Sequence, residues 1–459
     1  MPPKVALAGC IIAIVGVIYF FDNKEKKDVS LGLLIPLIWM CVLGSRNISQ
    51  FFMAESAIKT TDDYLVGSPV DRLFFSILII IGVCILIRRN IPFCEIVRQN
   101  IWIFVFLLYC GVSAVWSDYP GVSLKRFIKN IGNIVMVLIV ITEIHPKNAF
   151  RLLIKRFSYI LLPLSVVLYK YFSHLGRAYN SFNGKLIVTG ITNNKNTLGA
   201  VCLISSMFYI WNLFLNKKYQ GFERKFEYYG SCIILLISLI LLHMSNCSTA
   251  DLCLVFGLIS LLVFMKTKFI LDHIPGLKIC LYASVAMIII LLTGATKLNL
   301  QSLVSITGNV TGHEDTFFGR VLFWPEIINL SSNSVFFGEG YDSYWLGDRI
   351  RILWDRYWWH PTEAHNGYVE IYLELGVIGL LIFFAVFRSC FNKLIKGIKM
   401  GEEDSIFRFV LFITVMLYNI PETAIKGTHI MWFLFLLVTM EYRYTDTDVD
   451  WKIKYENAV

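Results

Sequence analysis

Apolar residues in this chain come in long unbroken runs separated by short polar connections. Runs long enough to span a bilayer, or nearly so, lie at about 5–21, 31–45, 72–88, 101–117, 127–143, 152–172, 196–215, 229–246, 249–265, 278–295, 366–388, 406–420 and 428–441. A straight span needs about 20 apolar residues, so the shorter runs predict soft or interfacial ends. In lipid no water satisfies the backbone, so each run is expected to be helical. The pattern predicts an all-α polytopic membrane protein with about 12–13 transmembrane helices.

One interval breaks the pattern. Residues 296–365 form a polar, aromatic stretch of about 70 residues, and connections this long in compact proteins usually carry function. The expected division is therefore an N-terminal helix bundle at 1–295, one large periplasmic loop at 296–365, and C-terminal helices with a short cytoplasmic tail at 366–459. No internal repeat or low-complexity tract is evident.

Composition agrees with a membrane protein. Of 459 residues, 56% are hydrophobic and only 16% are charged, where a soluble domain carries about 25% charge. The net charge of +9 sits between apolar runs, with no basic, aromatic-interleaved tract of nucleic-acid type. Lys and Arg collect in alternate connections: Lys24, Lys26 and Lys27; Arg88, Arg89 and Arg98; Lys147, Arg151, Lys155 and Arg156; Lys217 to Lys225; Lys266 to Lys278; and Arg388 to Lys399. These are expected inside, against anionic headgroups. The connections around 118–125, 173–195, 246–248, 296–365 and 421–427 then fall outside. The C-terminus lies in the cytoplasm, and the N-terminus lies outside with 13 spans or inside with 12. Most of the 11 cysteines lie within apolar runs, where cysteine acts as a small hydrophobe, so no disulfide framework is implied. The first run has a thin basic region and no small-residue cleavage site, so it is expected to remain as a helix.

Candidate chemistry concentrates where the long loop meets the next helix. His365-Asn366-Gly367 is followed by Glu370 and Glu374 at i, i+4 spacing, then Gly376 and Gly379. Carboxylates at that depth are costly and should face the bundle interior or a wet cavity. Histidine titrates near neutrality and serves as a general base. The bland alternative is an interfacial histidine with polar helix-packing glue, the two glycines permitting close packing. Earlier in the loop, Arg320 and Trp324 share a face if their segment is helical, and Gly338-Glu339-Gly340 lets backbone approach a ligand. Arginine suits bidentate phosphate binding, though a headgroup arginine has the same look. Asn193-Asn194-Lys195-Asn196-Thr197 enters a helix from outside, where a helix N-terminus and a lysine favour anions or simply cap the helix. His360 and His365 do not form a metal pair, because i, i+5 spacing splits them across the helix face and no third ligand is obvious. No GxSxG serine elbow occurs.

Taken together, these segments resemble the O-antigen ligase and polymerase superfamily of bacterial envelopes, in particular its exopolysaccharide-production branch. The resemblance covers nearly the whole chain. It rests on Gly44-Ser45-Arg46-Asn47, Trp116-Ser117-Asp118, Asn194 to Gly199, Gly319-Arg320 with Trp324, Gly338-Glu339-Gly340, and His365-Asn366 followed by Gly376 and Gly379. It implies a GT-C-like bundle in the bacterial inner membrane. The activity would be a metal-independent, cofactor-free glycosyl transfer from an undecaprenyl-diphosphate-linked oligosaccharide donor to a glycan or lipid A–core acceptor. By the same resemblance His365 deprotonates or orients the acceptor hydroxyl and Arg320 holds the donor diphosphate. Lys195 or Arg177 would supply a second cation, while Glu370, Glu374 and Trp324 contact substrate or tune the histidine. One departure stands out: Met244-Ser245-Asn246-Cys247-Ser248-Thr249 carries no cation where many ligases have a serine-arginine pair. That favours the exopolysaccharide branch over a lipid A–core ligase. A transporter of lipid-linked sugar is the alternative of another class, and it should show repeat symmetry between halves, which this chain lacks.

Overall fold

A computed structural model of the protein describes residues 2–25, 29–52, 67–179, 184–215, 222–266, 317–331, 334–402 and 404–441. Helices run Pro3–Glu25, Leu34–Leu43, Ile48–Phe52, Pro69–Arg88, Phe93–Gln99, Ile101–Val112, Pro120–Ile141, Pro146–Tyr171, Ser173–Gly176, Lys195–Leu215, Phe222–Ser245, Ser248–Lys266, Phe317–Asn329, Gly347–Arg356, Gly367–Lys399, Ser405–Tyr418 and Ile430–Thr439. Among the described residues the one sheet is a two-stranded antiparallel ladder, Arg177–Tyr179 against Leu186–Val188. Every expected apolar run coincides with helical structure except 278–295, which lies outside the described residues.

Six of these helices are long and apolar enough to cross a membrane singly: Pro69–Arg88, Pro146–Tyr171, Lys195–Phe214, Glu227–Ser245, Ser248–Met265 and Gly367–Lys399. The pair Phe93–Gln99 and Ile101–Val115, bent by 97°, makes a seventh if counted as one span. Asn100 sits at that bend and is fully used. Its Nδ2 donates to the carbonyls of Ile96 at 2.9 Å and Glu441 at 2.8 Å, and its Oδ1 accepts from Lys393 Nζ at 2.8 Å. A span count of about 12–13 therefore draws on the shorter apolar helices, Pro3–Ile18, Leu31–Leu43, Ser405–Tyr418 and Ile430–Thr439, as well as on 278–295.

Layering follows from which faces are apolar. Ile430–Thr439 is buried along its whole length, the signature of a central helix that is hydrophobic all round. Its Trp432 Nε1 donates to Asn130 Oδ1 at 2.8 Å, and Trp39 Nε1 donates to Asn133 Oδ1 at 2.8 Å. These two asparagines on the 120–141 helix are the polar glue expected between helices in hydrocarbon. Gly132 lets Trp39 seat there, since a Cβ would lie 2.2 Å from the indole. The outer helices turn apolar residues outward, among them Leu73, Ile80, Ile87, Leu236, Leu252 and Ile259. Such a surface suits lipid and not water. This is an all-α polytopic membrane protein.

The helix Gly367–Lys399 is broken at Gly376 (φ 65°, ψ −165°). The sequence assigns Gly376 to helix packing; the structure uses it to interrupt the helix and expose backbone groups. The freed groups are taken up by the strap at 335–340. Glu339 and Gly340 N–H donate to the carbonyls of Leu373 and Glu374, each at 2.9 Å. Val377 N–H donates to Val335 O at 2.9 Å, and Tyr109 Oη donates to Leu375 O at 3.2 Å. A buried break costs little when its orphan groups find partners. The strap must come very close. A Cβ on Gly338 would lie 2.3 Å from the Glu374 carbonyl carbon, and one on Gly376 would lie 2.2 Å from Phe336 O. The close approach that the strap glycines permit is thus to the broken helix.

Candidate active site

His365 closes the long loop immediately before the broken helix. Its backbone lies in the left-handed region, φ 49°, a conformation costing a non-glycine residue energy that its surroundings must hold in place. The holding is visible at the preceding residue. Ala364 N–H donates to Glu370 Oε2 at 2.9 Å, and Ala364 O accepts from Trp324 Nε1 at 2.9 Å. Downstream, Asn366 caps the helix, its Oδ1 accepting from the N–H groups of Tyr368 and Val369. The His365 turn is therefore pinned on both sides.

The turn at 419–427 approaches from the other side. Asn419 O accepts from Gly367 N–H at 2.9 Å, and Asn419 Oδ1 accepts from the N–H groups of Ala424 and Ile425, both at 3.0 Å. This small folded unit delivers two charged side chains. Glu422 lies with Oε2 3.6 Å from His365 Nδ1, while Glu363 Oε1 is 3.2 Å from the same nitrogen. Lys426 reaches the second polar cluster, 3.5 Å from Glu370 and 3.6 Å from Asp342. Arg126 meets Asp342 at 3.2 Å.

Glu422 also lines a cavity of ≈ 600 Å³. Lys195, Asn196, Asn246, Ser248 and Thr249 give it a polar side, and Leu252, Phe256 and Leu417 an apolar wall. Lys195 is the first residue of the helix Lys195–Leu215; Asn194 Oδ1 accepts from Thr197 N–H at 2.8 Å, capping it. The connections that line this region, 173–195, 246–248, 296–365 and 421–427, are all among those the charge pattern put on one side of the membrane. The stretch Asn246 to Thr249, which lacks a cation in sequence, faces the same cavity as Lys195.

The expected site residues separate into groups. His365 and Lys195 are brought to one region through Glu422. Glu370 and Glu374 are both buried. Glu370 accepts from Trp345 Nε1 at 2.7 Å as well as from Ala364, whereas Glu374 shares its surroundings with two other acids, Asp342 and Glu370, and with Lys426, and among the described residues its Oε1 has no hydrogen-bond partner. Trp324 bonds the His365 turn from the helix Phe317–Asn329. Arg177 does not line the cavity: its Nε donates to Tyr169 O at 3.0 Å and its guanidinium stacks on the Tyr169 ring, 4.7 Å from the centroid. Arg320 belongs to the same helix as Trp324, and its side chain lies outside the described residues. Glu363 and Glu422 were missed in the sequence. Glu363 is a lone loop acid between His360 and His365, and Glu422 sits in a short turn distant in sequence from His365. The three donor atoms of Glu363, His365 and Glu422 lie within 4.8 Å of one another, which also suits a divalent cation.

The architecture so far defines a class: a polytopic helical membrane protein with a histidine-carboxylate site at one end of the bundle. Residues 233–384 match the family model described as O-Antigen ligase, a stretch that includes His365, Gly376 and one wall of the cavity. Over 312 residues, 66% of this chain and 67% of the relative, the sequence is 22% identical to exopolysaccharide production protein ExoQ of Rhizobium meliloti (strain 1021). The chain is thus similar to the O-antigen ligase family over its C-terminal half and, more widely, to an exopolysaccharide production protein.

Proposed function

We propose that the protein polymerises or ligates glycan repeats carried on undecaprenyl diphosphate, at the periplasmic face of the bacterial inner membrane. One observation carries this reading: His365 and Lys195 converge on a single region through Glu422, beside a cavity with one apolar wall. The acceptor hydroxyl oxygen attacks the anomeric carbon, and a glycosidic C–O bond forms as the bond to the diphosphate oxygen breaks. His365 takes the hydroxyl proton, and the diphosphate leaves with the bonding electron pair. Lys195, the N-terminus of its helix and Arg320 stabilise the charge that develops there, so the chain's own cations do the work a metal does elsewhere. The apolar wall of Leu252, Phe256 and Leu417 suits a polyprenyl tail entering from lipid. Glu370 and Trp324 act by holding the His365 turn.

The test is direct. The full-length protein, purified and reconstituted, is given an undecaprenyl-diphosphate oligosaccharide with and without lipid A–core. A ladder of products identifies a polymerase, and a single product on lipid A–core identifies a ligase. Unchanged donor in both arms removes the reading.

A further inference from the structure

The geometry points to Glu422, with Glu363 beside it, as the positioning residue of His365, an assignment that rests on the glycan-transfer reading above. Both carboxylates face the same ring nitrogen, Nδ1, at 3.6 and 3.2 Å. At these distances the contacts are electrostatic; a carboxylate that closes on Nδ1 to accept its N–H selects the tautomer protonated there and leaves the Nε2 lone pair to accept a proton. Nε2 lies across the ring, so the two carboxylates also set the direction in which the base acts.

The two acids are not equivalent. The Glu422 side chain is 6% exposed and that of Glu363 is 31% exposed, so solvent screens Glu422 less. Glu422 also stands on a turn fixed by Asn419, whereas Glu363 is carried by the loop itself. A carboxylate on a hydrogen-bonded turn keeps its geometry better than one on an open loop. Glu422 is, in addition, the residue shared between the His365 ring and the Lys195 cavity, which places the orienting carboxylate beside the donor pocket. Glu363 is the weaker, outer partner.

The experiment compares Glu422→Gln, Glu422→Asp, Glu363→Gln and His365→Ala as full-length protein in the reconstituted transfer assay. Glu422→Gln should lower kcat by about 10²-fold while KM for the lipid-linked donor stays within about twofold. Glu422→Asp, which keeps the charge, should recover most of the lost rate, and Glu363→Gln should lose less than Glu422→Gln. Wild-type kcat in Glu422→Gln beside an inactive His365→Ala overturns the assignment and leaves the transfer reading standing. Full activity in His365→Ala overturns the transfer reading itself. Equal losses in the Gln and Asp variants, matched by equal losses of thermal stability, make Glu422 structural and overturn the assignment. Activity abolished by EDTA and restored by zinc or manganese makes the two carboxylates metal ligands, and that also overturns it.

Discussion

At the end of the bundle that holds Glu143, charges are closed into pairs. Arg89 meets Glu143 with both side chains buried, and it also donates to Ile139 O, Thr142 Oγ1 and Ser30 Oγ. Arg151 meets Asp404 at 2.5 Å, Lys155 meets Glu227 at 2.8 Å, and Arg408 meets Glu441 at 3.0 Å. The His365 end has pairs as well, Arg126 with Asp342 and Arg349 with Asp118 and Glu339, but around the histidine the arrangement is different. Two carboxylates crowd one imidazole nitrogen, and a lysine and a glutamate line a cavity. Four of the five described non-glycine residues with left-handed backbone, Asn246, Asp342, His360 and His365, sit in the connections of this end; the fifth is Asn90. Charges paired in this way fix helices relative to one another, even where Asp404, Arg408 and Glu441 border a smaller cavity of ≈ 290 Å³. Charges gathered round a cavity by strained turns are arranged for something else, and strain of this kind concentrates at functional sites.

The comparison breaks most sharply at its two centres. His365→Ala should lower transfer by about 10²–10⁴-fold with normal membrane insertion, the usual contribution of a positioned base, read as loss of long-chain glycan. Glu143→Ala should do the reverse. It leaves Arg89 buried without its carboxylate, a change costing about 3–5 kcal/mol, read as a lower unfolding temperature in detergent with kcat per folded molecule unchanged. Loss of catalysis without loss of stability in Glu143→Ala would erase the distinction between the ends.

Gly376 sharpens the comparison by asking how the His365 end is built. At φ 65° an alanine is strained, and its Cβ would collide with the strap at Phe336 O. Gly376→Ala should therefore cost about 1–3 kcal/mol and loosen the strap, since its bonds to Leu373, Glu374 and Val377 depend on the break. Protease cleavage within 335–340 is the measurement, and unchanged protection would mean the strap is held elsewhere.

Much of this was legible in the sequence. The apolar runs located the helices because in lipid apolarity and helicity are one requirement. His365 stood out because a titratable residue entered a membrane helix beside two acids. What stayed hidden was pairing across the fold. Glu370 and Glu374 share a helical face with spacing that invites a link to His365, yet Glu370 serves the Ala364 N–H and the Trp345 indole, while the acids on the imidazole come from Glu363 and from a turn after the next helix. No periodicity encodes that contact. The Gly338–Gly340 strap was hidden for a related reason: glycine reports close approach and does not say to what. Lys195 and Arg177 looked interchangeable as cations, and only the fold separates a lysine on the cavity from an arginine stacked on its own neighbour.

The smallest effect tests the finest part of the design. Trp324 Nε1 donates to Ala364 O while Glu370 receives Ala364 N–H, so the two peptides flanking Ala364, just before the His365 turn, are tied to different elements. Trp324→Phe keeps an aromatic ring in place and deletes one hydrogen bond, a loss of about 1 kcal/mol. If that bond only stabilises the fold, the unfolding temperature should fall slightly and kcat should not move. If it holds the left-handed turn at His365, kcat should fall several-fold, as expected when a positioned base loses part of its orientation. We expect the second outcome, because the Glu370 bond alone fixes the N–H side of Ala364 and leaves the carbonyl next to His365 free to rotate.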